Sequence, residues 1–219
     1  MCPHSQRPVA LPCPVMNLFS IVTASVTEPN VADAILAPVM DQVPSATQRV
    51  LDAAERKGVK LEVVFFDKST HTAQDAANAV AADVGQIVKS LVFVSEEVDG
   101  LQPCLVLASG ANTVDLALLG SILTFPRIRR ATAEEAHELT GFSIGGIPPF
   151  GHRQQIKTIM DPDLTRFETV WAAAGTANAV FPIAPNTLRV LTNAVVTAIS
   201  ESRPGRVGPD QQASAPTNA

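Results

Sequence analysis

The chain is poor in cysteine: Cys2, Cys13 and Cys104 are all it has. An odd number without zinc-like spacing indicates neither a disulfide framework nor a structural metal. Cys104 sits in the apolar run CLVLA and reads as a buried small hydrophobe. No uninterrupted apolar run approaches the roughly 20 residues needed to cross a bilayer. Residues 1–14 carry several prolines and no continuous apolar core, which does not fit a secretory signal. A cytoplasmic protein without a membrane partner is therefore expected, and Met16 and Met40 leave open a later start. Basic charge is not in excess either. Sixteen Lys and Arg against 21 Asp and Glu, a net charge of -5, argue against a general nucleic-acid coat and leave room only for a small local patch. No DNA partner is expected.

What is present is ordinary globular composition, 46% hydrophobic and 17% charged over 219 residues, which suits one domain with tails. The punctuation places a domain at residues 45–200, after an N-terminal extension (1–44) that is partly disordered. A tail rich in Pro, Gly, Gln, Ser and Ala (201–219) is expected to be disordered. Ser45 and Gln48 form an S-x-x-Q capping box ahead of a helix that Gly58 stops. LEVVFF at 61–66 reads as a strand. Thr72 and Asp75 form a second box before an alanine-rich helical face running to Val84. Ile87 to Val94 and Cys104 to Ala108 read as strands joined by the Asp99-Gly100 turn, a hairpin. A helix is expected over 112–123, and further strands at 156–160, 168–173 and 179–183. Asn186 is expected to cap a last helix reaching about Ile199. Hairpins mixed with crossovers point to an α+β fold around a mixed sheet.

The residues GFSIGGIPPFG, Gly141 to Gly151, pack four glycines and two prolines into one loop after the helix opened by the T-x-x-E box at Thr132. Glycine admits positive φ and close approach of a ligand, while Pro148 and Pro149 fix φ and remove two donors. Such a loop is either a nest of amides for a phosphate, carboxylate or oxyanion, or a plain connector. Gly141 to Gly145 also spells G-x-S-x-G, the nucleophile elbow of α/β-hydrolases. The elbow requires a strand before the serine, and here a helix precedes it. No aspartate lies between Ser143 and the following His152, so a serine esterase using Ser143 is the minor alternative.

In IVKSLVFV (87–94) a period of two puts Ile87, Lys89, Leu91 and Phe93 on one face and Val88, Ser90, Val92 and Val94 on the other. Lys89 thus interrupts an apolar face. It is either an edge lysine that reaches water or an ammonium at a pocket, where it would hold an oxygen or act as an amine nucleophile. Arg127, Arg129 and Arg130 form a basic cluster, either a solvated face or a contact for acceptor-stem phosphates. Asp161 begins a turn signal, Asp-Pro-Asp, or orients Lys89 or the loop. His152 follows the loop and would touch substrate, whereas His137 reads as surface. Phe65, Phe66 and Phe142 are either core or a pocket wall.

Taken in order, TAQDAANAV, GQIVKSLVF, GFSIGGIPPFG, Asp161, VWAAAG and NTLRVLTNAV resemble the YbaK and prolyl-tRNA-synthetase-associated domain family over about 45–200. The resemblance implies a compact α+β fold with a mixed, barrel-like sheet. It also implies a hydrolase of mischarged aminoacyl-tRNA acting in trans on the acceptor end, with misacylated tRNA(Pro) as substrate, no metal or other cofactor, and prolyl-tRNA synthetase as a partner. Lys89 matches the lysine of the family's K-[ST/N]-L strand, and Gly145 to Pro149 match its G-x-x-x-P loop. The site so implied has Lys89, Gly145 and Gly146 in the catalytic role, with Phe66, Ser90, Ile147, Pro149, Gly151, His152 and Asp161 around the substrate. An aminoacyl ester is already activated, so holding the terminal adenosine, placing water and stabilising the oxyanion suffice without a triad. Backbone amides near Gly145, Gly146 and Ile147 would meet the oxyanion. The stretch AAAGTANAVFPIAP lacks the histidine that helps one branch of the family select alanine, and the region of Gly175 looks closer to the cysteinyl-tRNA(Pro) deacylase branch. Cysteine, serine, threonine and alanine all stay open as the amino acid removed. A non-catalytic module that binds aminoacyl-tRNA or a synthetase is the reading from another class.

Overall fold

The computed structural model describes residues 43–67, 72–98 and 100–200. The expected tail and residues 1–42 of the expected extension, and with them Cys2, Cys13, Met16 and Met40, lie outside the described residues, as does Asp99 of the expected Asp99-Gly100 turn. Within the described residues the chain runs α1 (Ser45–Glu55), β1 (Val64–Phe65), α2 (Ala73–Ala79), β2 (Ile87–Glu97), β3 (Gly100–Ser109) and α3 (Leu116–Leu123). It continues through β4 (Ile128–Arg130), α4 (Ala133–Thr140), β5 (Lys157–Met160), β6 (Val170–Ala173), β7 (Ala179–Ile183), α5 (Pro185–Thr192) and β8 (Val195–Val196). The strands form one mixed sheet in the order β1-β7-β6-β2-β3-β5-β8, with β4 added on β2. This is the α+β class expected, with antiparallel hairpins beside parallel crossovers.

The long hairpin β2/β3 organises everything else. Its register runs from Val88 opposite Ser109 to Glu97 opposite Gly100, so β3 occupies one edge of β2 over almost its whole length. The other edge is shared. β6 runs parallel to it at Ile87 and Val88, and β4 pairs antiparallel at Phe93 to Ser95. Between these two pairings, from Lys89 to Val92, no strand among the described residues lies against that edge, and the sheet is open there as a slot.

The alternation expected in β2 is realised. Val88, Val92 and Val94 enter the main core with Leu105, Leu107, Phe142, Phe150 and Phe181, which α1, α4 and α5 cover through Val50, Ala136 and Leu188. Phe93 turns to the opposite face, where α3 closes a second cluster with Cys104, Val106, Leu119 and Ile159. Ile87 joins Ala76 and Ala77 of α2, with Trp171 packed beside them. Lys89 falls on this second face, between the patch under α2 and the patch under α3.

Several local expectations are corrected. Two capping boxes form as read, at Thr72/Asp75 and at Thr132/Glu135. The one at Ser45/Gln48 does not: Pro44 occupies the N-cap position with no side-chain cap, and Gln48 donates instead to Asp52 one turn on (2.7 Å). LEVVFF contributes only Val64 and Phe65 to the sheet, because it pairs with β7 alone and only over those two residues. The helix expected from 112 begins at Leu116, since Asp115 caps it by accepting from Ala117 and Leu118. Asn112 is drawn into a different contact, described below. The last helix starts at Pro185 and stops at Thr192, where Asn193 takes a left-handed conformation (φ 50°) and releases the chain into β8. Asn186 does not cap it.

Candidate active site

Pocket-lining residues converge on the slot in β2. The cleft there encloses about 230 Å³ and takes its walls from α2, β2, β4, α4, β6, β7 and the glycine-rich loop. On the face that carries α2, its mouth presents Lys89, Arg130 and Trp171. Through the slot, on the side of the main core, its floor is formed by Ser90, Ala131, Ala136 and Ile147. Among the described residues no carboxylate lines it, and its charged lining groups are two cations.

Lys89 is half-buried, and its placement is determined by one turn. Its ammonium donates to the carbonyl of Gly110 (3.2 Å) and to the carbonyl of Asn112. An ammonium has three N–H donors, so one remains for the cleft. Burial pulls the Lys89 pKa below its ordinary value, the nearby Asp161 carboxylate opposes this, and Arg130 reinforces it.

The turn that holds Lys89 is itself held by Asp161. This carboxylate is 2% exposed and accepts from the Ser109 amide (3.0 Å), the Asn112 side-chain amide (2.8 Å) and the Asp163 amide (3.0 Å). The Asn112 amide also reaches Asp163 (2.8 Å), and Ser109 Oγ donates to the Gly85 carbonyl (2.8 Å). Asp161 thus caps the turn at Pro162–Arg166 and also bonds the segment 109–112 whose carbonyls receive Lys89. Asn112 ties this turn together instead of starting a helix, a role that sequence reasoning missed because its partner lies 49 residues away.

The glycine-rich loop divides into two parts. Gly145, at φ 92°, and Ile147 line the cleft, and neither N–H has a partner among the described residues. Gly146 is a correction: its amide donates to the Ser143 carbonyl (3.0 Å), and its Cα packs so closely on Thr176 that an added Cβ would lie 2.7 Å from that backbone. It shapes the loop and offers no free donor. The remainder of the loop faces α1. Arg49 donates to the Gly141 carbonyl (2.6 Å) and stacks on Phe142, 4.2 Å from the ring centroid. Phe142 meets His152 edge-on, His152 Nε2 bonds the Pro148 carbonyl (2.8 Å), and Gly151 packs on Val50 and Ala53. Burial lowers the His152 pKa, with the Pro148 bond opposing and Arg49 adding to the effect.

Of the residues expected at the site, Lys89, Ser90, Gly145 and Ile147 line the cleft, while Phe66, Pro149, Gly151, His152 and Asp161 do not. Phe66 exchanges backbone and side-chain bonds with Asn178 next to β1, and Pro149 is buried behind the loop. Neither Phe65 nor Phe142 walls the cleft. The arginine cluster splits. Arg129 bridges Glu96 (3.0 Å) and Glu135 (2.8 Å), an exposed network that holds Glu135 at about 2, and Arg127 lies away from the cleft. Arg130, alternating to the opposite side from Arg129, reaches the cleft and has no ion-pair partner among the described residues. Sequence reasoning also missed Trp171 and the small residues Ala131 and Ala136, because they come alongside Lys89 only in the folded sheet and no local signal marks them. Cys104 is buried as expected, and burial raises its thiol to about 12.

Residues 67–191 match the aminoacyl-tRNA editing domain family. The chain belongs to this family. The match covers more than half of the sequence and includes Lys89, Ser90 and the whole glycine-rich loop. The multifunctional Ser/Thr-tRNA deacylase ProXp-y of Escherichia coli (strain K12) is 31% identical over 133 residues, 58% of this chain and 77% of the relative. A protein of Bacillus subtilis (strain 168), YwhH, is 32% identical over 127 residues, 58% of this chain and 78% of its own length. Among solved structures, a candidate trans-editing enzyme for prolyl tRNA synthetase is 45% identical, with a TM-score of 0.68, over 74% of this chain and all of the other. The editing domain is thus an enzyme of the aminoacyl-tRNA hydrolase class, as the sequence resemblance implied. No helix among the described residues is long and apolar enough to cross a membrane.

Proposed function

We propose that residues 45–200 form a cytoplasmic trans-editing deacylase that hydrolyses the 3'-terminal ester of misacylated tRNA(Pro), with serine and threonine as the acyl groups removed. The observation that carries this reading is the cleft itself: one uncommitted N–H of Lys89 and the Arg130 guanidinium, which has no ion-pair partner among the described residues, stand at the mouth of a small cavity with a floor of small side chains. Cations at a mouth suit the phosphate and ribose oxygens of an RNA terminus. A floor of alanines and Ile147 admits only a small acyl side chain. The identity of the relatives supports the choice of serine and threonine, and the similarity to a trans-editing enzyme for prolyl tRNA synthetase supports tRNA(Pro) and that synthetase as partners.

The reaction on this reading is attack of water on the ester carbonyl. Lys89 holds the terminal ribose in place, so that much of the gain comes from positioning. The backbone N–H groups of Gly145 and Ile147, without an acceptor among the described residues, are the donors this reading assigns to the developing oxyanion, a contact worth about 2.7 to 4 kcal/mol per donor where it has been removed in other enzymes. Binding alone separates acyl groups that differ by one methylene by only about 1 to 3 kcal/mol, which is why a second hydrolytic sieve is useful to a synthetase. The test is incubation of the full chain with tRNA(Pro) charged with serine, threonine, alanine, cysteine or proline. Hydrolysis of the serine and threonine esters with sparing of the proline ester is expected. Stable esters throughout, accompanied by tight tRNA binding, would favour the non-catalytic module.

A further inference from the structure

Ser90 lies in the middle of the slot, where β2 has lost its neighbour on one edge. Its Oγ is buried and has no hydrogen-bond partner among the described residues. A hydroxyl in that state gives up its hydration for nothing, and such groups in a folded protein call for an explanation. The surroundings supply one. The neighbouring residues on its own face, Val88 and Val92, belong to the apolar core, and the other floor residues, Ala131, Ala136 and Ile147, have no polar side-chain atom. Among the described residues, Ser90 Oγ is the one side-chain hydrogen-bonding group on the floor. The cations stand on the other side of the slot, at the mouth.

We infer that Ser90 is the residue that selects a hydroxylated acyl group, its Oγ exchanging a hydrogen bond with the side-chain hydroxyl of a seryl or threonyl ester seated on the alanine floor. This rests on the deacylase reading above. With the ribose and phosphate held by Lys89 and Arg130 at the mouth, the acyl side chain is the part of the substrate that reaches the floor. A serine hydroxyl carries one donor and two acceptor sites, so it matches another hydroxyl in either direction. An alanyl ester in the same position would leave Ser90 unsatisfied, and sites built around a hydrogen bond discriminate against ligands that lack the partner.

The experiment measures kcat/KM of wild type, Ser90→Ala and Ser90→Thr on tRNA(Pro) charged with serine, threonine or alanine, with the thermal midpoint of each protein as a folding control. Wild type is expected to prefer the serine ester to the alanine ester. Ser90→Ala should lower the serine-to-alanine ratio about tenfold or more, the cost of one buried hydrogen bond, and Ser90→Thr, which keeps the hydroxyl, should hold the ratio near wild type. An unchanged ratio in a folded Ser90→Ala protein would overturn the inference while leaving the deacylase reading in place. An equal loss on all three esters would do the same, by making Ser90 a group that serves the ester or the water. If wild type hydrolyses none of the esters, both the reading and the inference fall.

Discussion

Lys89 and Asp161 grip opposite sides of one turn: the carbonyls of Gly110 and Asn112 receive the ammonium, and the Ser109 amide and Asn112 side chain bond the carboxylate. The two charges act on each other through space as well, since Asp161 opposes the effect of burial on the lysine. A cation on an otherwise apolar strand face is thereby fixed in direction without a direct ion pair, and keeps one donor for a ligand.

The arrangement makes Asp161 a positioning residue. Asp161→Asn keeps the shape but replaces one acceptor oxygen with a donor facing amide N–H groups, and an unsatisfied buried donor costs about 1 to 3 kcal/mol. We expect a lower thermal midpoint together with a fall in kcat at nearly unchanged tRNA affinity. Calorimetry and steady-state kinetics read the two separately, and a variant that melts early but turns over normally would show the turn to be purely structural.

The two adjacent glycines of the loop should behave differently. A Cβ at Gly145 meets nothing closer than Ala177 at 3.6 Å, but the residue sits at φ 92°, so alanine there carries about 1 to 2 kcal/mol of backbone strain and moves an amide at the cleft. Activity should fall more than stability. A Cβ at Gly146 would collide with the Thr176 backbone at 2.7 Å, and overpacking of this kind typically costs about 1 to 3 kcal/mol. Gly146→Ala should therefore lose stability first. Parallel melts and kcat values for the two variants check the contrast.

This contrast marks where the sequence was legible. Glycine spacing located a shaped loop, but which amide faces a ligand depends on Thr176, thirty residues on in another turn. Lys89 stood out because a period of two predicted an apolar neighbour on either side, and Ile87 and Leu91 lie there. Asn112 and Arg130 were not separable from a helix cap and a solvated cluster, because their roles come from β5 and β2 brought alongside by the sheet. Local signals with a three-residue reach, the boxes at Thr72 and Thr132, survived intact. The one at Ser45 failed because Pro44 took the cap position.

Ser143→Ala should retain most of its activity. Ser143 is exposed, and the histidine that follows it is engaged with the Pro148 carbonyl and Phe142, so no base is poised beside it. A deacylation time course checks this, and a loss of about a thousandfold, the scale of removing an activated nucleophile, would revive the esterase.

His152 links the loop to pH. Its folded pKa is lowered by burial, so the folded state binds fewer protons than the unfolded one as pH drops below the ordinary histidine value of about 6.5. The stabilisation is fully present above that value and is lost as pH falls toward the folded pKa. The thermal midpoint should decline over this range, and His152→Gln should flatten the decline without removing it, since carboxylates titrate below.

The account depends above all on Lys89 acting at the acceptor end. Single-turnover hydrolysis of seryl-tRNA(Pro) by wild type and Lys89→Ala, at matched fold content by circular dichroism, tests this most directly. The account predicts that wild type clears the ester and that the folded variant does not exceed the uncatalysed rate, and a folded Lys89→Ala protein that clears it at the wild-type rate would contradict it.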